Sequence, residues 1–239
     1  MADPPVDGVV LPALSGLLDP EERAALYTAM LADVCRAVEA SGAELLVNYR
    51  QPEQVPDGVD PEAALREDLD EALESPGSAR YEVQVGASLS ARIGNTVTHL
   101  LEREGVTTAA AVEPTAGLLT RQQIDSAAMK LRLAEVVLGP AADGRVYYAG
   151  FAEPVDFEDA YTTPAVETLT ERATEAQLAV DFLPTMPTVE TPADLRTVVP
   201  LLGARYRGER VIPPRTTTLV NEFDLRVQSS EDGHELVRE

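Results

Sequence analysis

Short apolar runs alternate with amphipathic helices along most of this chain, and that alternation strongly limits its possible folds. In the clearest helix Asp19 caps the N-terminus, Pro20 takes the first helical position, Glu22 completes a capping box and Gly42 ends the helix. The run AELLVNY (43–49) follows, and its continuous apolar character is typical of a strand covered on both faces. This pattern predicts an α/β fold with a mainly parallel sheet and helices on both faces.

The later segments repeat the same order of helix and strand. Further strands are predicted at 79–85, 106–112, 134–140, 145–151 and 178–184. Further helices are predicted at 61–75, 89–100, 120–133, 163–176 and 191–202. Near the start, residues 9–11 are a candidate buried strand. We therefore expect one domain over residues 1–203 and an irregular C-terminal extension over 204–239, which wraps the domain without extending its sheet.

The charge balance excludes several kinds of partner. There are 41 acidic and 19 basic residues, the net charge is −22, and Lys130 is the only lysine. Such a surface repels nucleic acid phosphates and anionic membranes. The acids are spread over most helices and do not form one block, which favours adaptation to a cytoplasm of molar salt over binding to a basic partner. The first residues lack the basic and apolar regions of a signal peptide, so a cytoplasmic location is expected.

Common chemical signatures are missing, and carboxylates, tyrosines and arginines remain as candidates. Cys35 is alone on an apolar helix face, which indicates core packing and no thiolate metal site. Asp143 follows the predicted strand at 134–140, where a carboxylate could hold a divalent ion beside a diphosphate. Asp143-Gly144 is equally well interpreted as a simple hairpin turn. The apolar residues of 210–223 also leave two alternatives, packing on the domain or on a second copy in a homo-oligomer.

Four segments together resemble one known family. LLDPEERAALYTAMLADV, VVLGPAADGRVYYAGF, YTTPAVETLTERA and VETPADLRTV occur in the order and spacing of an uncharacterised glycosyltransferase-like family. Some of its members are linked to arsenosugar biosynthesis, and it is more distantly related to phospholactate and molybdopterin guanylyltransferases. The resemblance covers roughly residues 8–203. It implies the GT-A (nucleotide-diphosphosugar transferase) fold, a nucleotide or nucleotide-sugar donor, and Mg²⁺ or Mn²⁺.

The resemblance also implies roles for individual residues. Asp143 would be catalytic and would hold the metal with Glu190 and Glu113. Donor binding would fall to Gln84, Arg92, Gly139, Gly144, Arg145 and Tyr147, with the two arginines on phosphates and with Gln84 and Tyr147 lining the pocket. A Trp-Ser-Thr element of the family corresponds to Tyr161, Thr162 and Thr163.

This chain also departs from the family pattern. The family's phosphate loop, rich in Lys, Gly and Arg, corresponds to the cation-free PALSGL, and Thr115 stands at the position of a metal-binding aspartate, with Glu113 nearby. Only one acid of an Asp-x-Asp-Thr-Pro motif remains, as Glu190. Arg145 replaces a glycine, which would strain the turn by about 1 kcal/mol if that position needs positive φ. Arg145 would also return a cation to the pocket and bind a phosphate.

Three functions follow from these matches and departures. The first is a nucleotide-sugar-dependent transferase of the GT-A type. The second is a non-catalytic relative that keeps the scaffold and binds a ligand or partner protein. The third is a nucleotidyltransferase like the guanylyltransferases, whose basic N-terminal loop is missing here. Loss of the phosphate-loop cations and of one metal aspartate removes electrostatic stabilisation that group transfer from a diphosphate uses.

Overall fold

The computed structural model describes residues 1–6, 8–162, 164–230 and 233–238. The helices of the described residues are α1 Pro20–Ser41, α2 Pro61–Asp70, α3 Leu89–His99, α4 Arg121–Lys130, α5 Ala165–Glu175, α6 Pro192–Arg207 and α7 Pro214–Glu222. The strands are β1 Leu46–Tyr49, β2 Arg80–Val83, β3 Ala109–Val112, β4 Val136–Pro140, β5 Val146–Phe151, β6 Val180–Phe182, β7 Leu225–Ser230 and β8 Gly233–Arg238. Within these ranges no helix is long and apolar enough to cross a bilayer.

The α/β architecture is confirmed, but the main sheet is mixed. Four strands form it in the order β3-β5-β4-β6, while β1 and β2 form a separate parallel pair. Strand β5 runs antiparallel to both β3 and β4, and β4 runs parallel to β6. The short turn Ala142–Gly144 joins β4 to β5, and a connection this short can only join antiparallel strands. The expectation of a mainly parallel sheet is corrected for that reason.

Helix α1 forms as its local signals predict. The Asp19 carboxylate accepts a hydrogen bond from the Glu22 amide (2.9 Å), and the Glu22 carboxylate accepts one from the Asp19 amide (3.0 Å). Gly42 ends the helix in the left-handed region at φ 79°. Cys35 is buried on this helix, as predicted. The buried side chains form two hydrophobic clusters, one around α1 and the other around β4, β5 and α5.

The N-terminal residues differ from their prediction. Residues 9–11 form no strand; Leu11 adopts a left-handed conformation (φ 47°) and leads into a 3₁₀ turn at Pro12–Leu14. Ala2, further upstream, forms an isolated parallel bridge with Tyr49 at the end of β1. The extended part of this segment therefore lies at the very start of the chain.

The C-terminal extension is regular, which corrects the prediction of an irregular segment. Helix α6 continues to Arg207, α7 follows, and β7 and β8 form an antiparallel hairpin. Buried Asp33 of α1 accepts hydrogen bonds from the amide and hydroxyl of Thr216, both at 2.8 Å, at the start of α7. Among the described strands, β7 pairs only with β8, so this hairpin does not extend the main sheet. The start of α7 therefore packs on α1 of its own domain, whereas Val211 is 73% exposed, and a homo-oligomer stays a prediction.

Candidate functional site

Charged side chains gather where β1, β2 and β3 end. We call this region the polar edge and define it by six residues: Asp3, Arg50, Arg92, Glu113, Arg145 and Glu190. Arg50 directly follows β1, and Glu113 directly follows β3. Because β1 and β2 are parallel, their carboxyl ends share one edge, where ligands bind in open α/β sheets.

Arg92 forms no ion pair with a carboxylate of the described residues. Its Nε atom is buried and makes no hydrogen bond with any described residue. Burial, followed by repulsion from Arg50, lowers the pKa of Arg92, while Asp3 partly compensates. Arg50 itself is ion-paired with Asp3 through Nη2 and Oδ2 at 2.9 Å. Arg92 is thus a partly desolvated positive charge that the described residues do not neutralise by an ion pair.

A tight loop sets Arg92 on the first turn of α3. Ser88 caps this helix by accepting a hydrogen bond from the Ala91 amide at 3.1 Å. Gly86 has φ 142°, and a Cβ there would lie 2.8 Å from both the Ala91 carbonyl carbon and the Arg92 nitrogen. Only glycine lets the loop after β2 approach the helix N-terminus this closely.

Gln84 makes structural contacts between β1, β2 and the N-terminal segment. Its buried side chain donates hydrogen bonds to the carbonyls of Asn48 (2.8 Å) and Ala2 (3.3 Å). It therefore ties the end of β2 to β1 and to the N-terminal segment. Donor binding by Gln84 stays a prediction.

Arg145 donates hydrogen bonds through Nε and Nη2, while Nη1 is close to Glu190 without a hydrogen-bond geometry. Nε donates to the Ala142 carbonyl at 3.1 Å, Nη1 lies 2.5 Å from Glu190 Oε1, and Nη2 lies 2.9 Å from Asp194 Oδ1. Burial disfavours its charged form, but the hydrogen bonds and the charges of Asp194 and Glu190 raise its pKa overall. Phosphate binding by Arg145 stays a prediction, and it would require these pairs to open.

The predicted strain at Arg145 is absent. Its φ is −72°, in the extended region. The positive φ angles of this turn lie at Asp143 (57°) and Gly144 (73°). The Asp-Gly sequence thus makes the turn, as the hairpin alternative predicted, and the residue after it needs no special conformation.

Three other predicted site residues make structural contacts. Tyr147 is fully buried, and its hydroxyl donates to the Pro184 carbonyl at 3.0 Å. A Cβ at Gly139 would lie 2.6 Å from Cζ of Tyr147, and one at Gly144 would lie 2.5 Å from Cβ of Pro164. These two glycines allow close packing, and donor binding by the three residues stays a prediction. Of the Trp-Ser-Thr counterpart, Thr163 lies outside the described residues.

The predicted metal trio is not assembled. Asp143 is exposed on its turn, Glu190 is paired with Arg145, and Glu113 is half-buried at the end of β3. In the described ranges, no group of three or more His, Cys, Asp or Glu side chains is arranged to hold a metal ion. The prediction of three converging carboxylates is wrong because the turn at Ala142–Gly144 directs Asp143 into solvent. Metal binding itself stays a prediction.

Glu113 and Glu190 still interact with one another. Burial, and then repulsion from Glu190, raises the pKa of Glu113 to about 7. Both carboxylates have a hydroxyl neighbour: the Thr115 hydroxyl donates to Glu113 at 3.5 Å, and the Thr188 hydroxyl donates to Glu190 at 3.4 Å. The site thus contains two carboxylates that repel each other.

Sequence reasoning missed three residues of this arrangement. Asp3 and Arg50 are separated by 47 positions, and no periodic signal links them. Asp194 was detectable: Thr191 and Asp194 have capping-box spacing, and the structure contains that box at the start of α6.

Comparison with known proteins identifies the class of fold. A solved structure described as a "putative nucleotide-diphospho-sugar transferase", from Desulfovibrio desulfuricans G20, matches with a TM-score of 0.76 and 20% identity. The match covers 93% of this chain and 92% of that chain. The chain therefore has the GT-A-like fold of a nucleotide-diphospho-sugar transferase.

The other comparisons are weaker. CMP:2-keto-3-deoxy-manno-octonic acid synthetase in complex with CTP matches with a TM-score of 0.43 and 13% identity, over 74% of this chain and 88% of that one. No protein-family model matches the chain, and no curated protein matches it.

Proposed function

We propose that the chain binds a nucleotide sugar at the polar edge and acts as a nucleotide-sugar-dependent transferase. The observation that carries the proposal is Arg92, a partly buried guanidinium without an ion pair among the described residues. A desolvated cation gains more from an anion than an exposed one does. A guanidinium also matches phosphate oxygens in bidentate geometry.

The charge balance of the chain strengthens this argument. Acidic residues outnumber basic ones by 41 to 19, and many arginines of this protein are paired with carboxylates. Arg92 is an exception at the sheet edge where ligands bind in this class of fold. The diphosphate of a nucleotide sugar would supply a negatively charged partner for the Arg92 guanidinium.

Glu113 and Glu190 are the residues that would hold Mg²⁺ or Mn²⁺. Magnesium is commonly bound by one or two carboxylates together with substrate phosphates, so a cluster of three protein ligands is not required. The repulsion between these two side chains fits a cation that lies between them. Such an ion would neutralise charge on the leaving diphosphate.

A non-catalytic ligand-binding protein is the second candidate function. The observation that favours it is the pairing of Arg145 with Glu190 and Asp194, which commits one carboxylate of the site to a protein cation. A nucleotidyltransferase, the third alternative, has no specific observation in its favour.

The proposal is tested by thermal unfolding in multi-molar KCl with UDP- and GDP-sugars, with and without Mn²⁺. A ligand at 100 times its Kd adds about 2.7 kcal/mol to the free energy of unfolding. We expect that stabilisation in the wild type and its loss in Arg92→Gln. The control is Arg103→Gln, which removes an exposed arginine from the turn after α3 and should keep the full ligand effect.

Two outcomes contradict the proposal: no stabilisation by any nucleotide sugar, or equal stabilisation of wild type and Arg92→Gln. Release of nucleoside diphosphate from the bound donor then separates the two candidates. Binding that depends on Arg92, without release over a range of acceptors, favours the non-catalytic protein.

A further inference from the structure

Two strand edges face each other across an internal cavity. Among the described strands, β1 pairs only with β2, and β3 pairs only with β5. On its other side β1 has just the bridge between Tyr49 and Ala2. A cavity of about 430 Å³ separates the two sheets, and residues 45–48 and 109–112 both line it.

The cavity lies between α1 and α3, and its lining is mainly apolar, with Glu44, Asn48 and Arg80 among its polar members. Its lining draws on both hydrophobic clusters: Leu31 and Val34 of α1 belong to one, and Ile93 and Val97 of α3 belong to the other. Backbone N–H and C=O groups that face such a space without partners are costly. A strand placed there would satisfy these groups and bury its side chains on both faces, as strands in parallel sheets do.

Ala2 sets the direction and register of such a strand. It pairs with Tyr49 in the parallel sense, and its amide donates to the Asn48 carbonyl at 2.8 Å. Backbone that continues this pairing on the N-terminal side of Met1 runs alongside Asn48, Val47 and Leu46, into the cavity that Met1 already lines. At a rise of about 3.3 Å per residue, the length of β1 corresponds to about four residues.

We propose that this cavity takes one more β-strand, an apolar segment of about four residues joined to the N-terminal side of Met1. The strand pairs with β1 and with β3, so the two separate sheets become one. Ala2 is its last paired residue, and its side chains contact α1 on one face and α3 on the other. This structural role is independent of the proposed transfer function.

The test compares the 239-residue chain with three N-terminally extended forms. The first extension places Val-Ile-Val-Val directly before Met1, the second places Gly-Ser-Gly-Ser there, and the third places Val-Pro-Val-Val. The proline removes a ladder hydrogen bond while keeping the segment apolar. We expect the first extension alone to raise Tm by about 10 °C. Hydrogen exchange at the amides of 46–48 and 109–112 should slow by at least about tenfold in that form only.

The proposal fails if Val-Ile-Val-Val raises Tm no more than the Gly-Ser or proline form does. It also fails if those amides are already protected in the chain that starts at Met1. Size-exclusion chromatography would then identify a second copy as the occupant, and native mass spectrometry would identify a bound apolar molecule.

Discussion

Replacing Arg145 by Gln tests the charge cluster at the start of β5. The guanidinium is 18% exposed and joins two carboxylates, Asp194 (5% exposed) and Glu190 (42% exposed). Asp194 has other partners, because its Oδ2 accepts hydrogen bonds from the Glu190 amide (3.0 Å), the Thr191 amide (2.9 Å) and the Thr191 hydroxyl (3.0 Å). The substitution therefore removes one charged hydrogen-bond donor from Asp194, and the three other donors remain.

The expected loss of folding free energy is the sum of the contributions of the two contacts that the substitution removes. A hydrogen bond to a charged group contributes about 1.5–3 kcal/mol, and the bond from Arg145 to Asp194 is of this kind. The pair with Glu190 is largely exposed and contributes about 0–1 kcal/mol. We expect Arg145→Gln to lower the free energy of unfolding by about 2–3 kcal/mol. In a chain of this size, that corresponds to a Tm lower by about 5–10 °C.

The assay is urea unfolding at fixed KCl, with Arg121→Gln as the matched control. Arg121 pairs with Asp125 at 3.2 Å, but the two side chains are 66% and 46% exposed, so its loss should change stability by less than about 0.5 kcal/mol. If Arg145→Gln is as mild as Arg121→Gln, the buried pair does not form in solution. Arg145 would then be free to bind phosphate, as the sequence predicted.

Three further substitutions test other parts of the structure. Asp33→Ala removes the acceptor at the start of α7 and should destabilise by about 2–3 kcal/mol, with faster proteolysis of residues 208–213, whereas Asp33→Asn should do less harm. Gly139→Ala brings a Cβ to 2.6 Å from the Tyr147 ring and should lower urea-unfolding stability by about 1–3 kcal/mol, while Gly16→Ala meets nothing within 4 Å and should have little effect. The pKa of Glu113 is raised from 4.5 to about 7, so the folded state keeps a proton that the unfolded state loses. With a chelator present, wild-type stability should therefore fall by on the order of 2 kcal/mol between pH 4.5 and 7.5, and Glu113→Gln should abolish that fall.

Local signals in the sequence predicted local structure correctly. The capping box predicted at the start of α1 is present, with Asp19 bonded to Glu22, and Thr120 and Gln123 form another at the start of α4. A capping box needs only four consecutive residues, so its energy depends little on the rest of the fold. The Asp143-Gly144 turn between β4 and β5 belongs to the same group.

The contacts of the site could not be predicted in the same way. Arg145 and Asp194 are 49 positions apart, and only the tertiary fold brings the turn before β5 to the first turn of α6. The family resemblance assigned Gly139 and Tyr147 to donor binding. In the structure, the Tyr147 ring packs directly against Gly139. In the C-terminal region an irregular extension was predicted, although Pro214 begins α7, at a helix position where proline is favoured.

High salt affects these charges unequally, and this bears on how the proposed ligand would be held. At molar ionic strength the Debye length is roughly 3 Å, so exposed pairs such as that of Arg121 contribute little. A cation that is partly withdrawn from water is screened much less. We therefore expect that the proposed attraction of Arg92 for a diphosphate would persist under conditions that weaken the exposed ion pairs of an acidic surface.

The N-terminal segment links the polar edge to the internal cavity, and existing contacts keep the two proposals separable. Gln84 already holds the Ala2 carbonyl, and Arg50 already pairs with Asp3. These contacts hold residues 2 and 3 in place at the polar edge, and they do not depend on what precedes Met1. A strand added in the cavity should raise the stability of the whole chain without changing the dependence of ligand binding on Arg92. If the apolar extension instead alters that dependence, the N-terminal segment moves when the sheets join, and the polar edge keeps its present geometry only in the chain that starts at Met1.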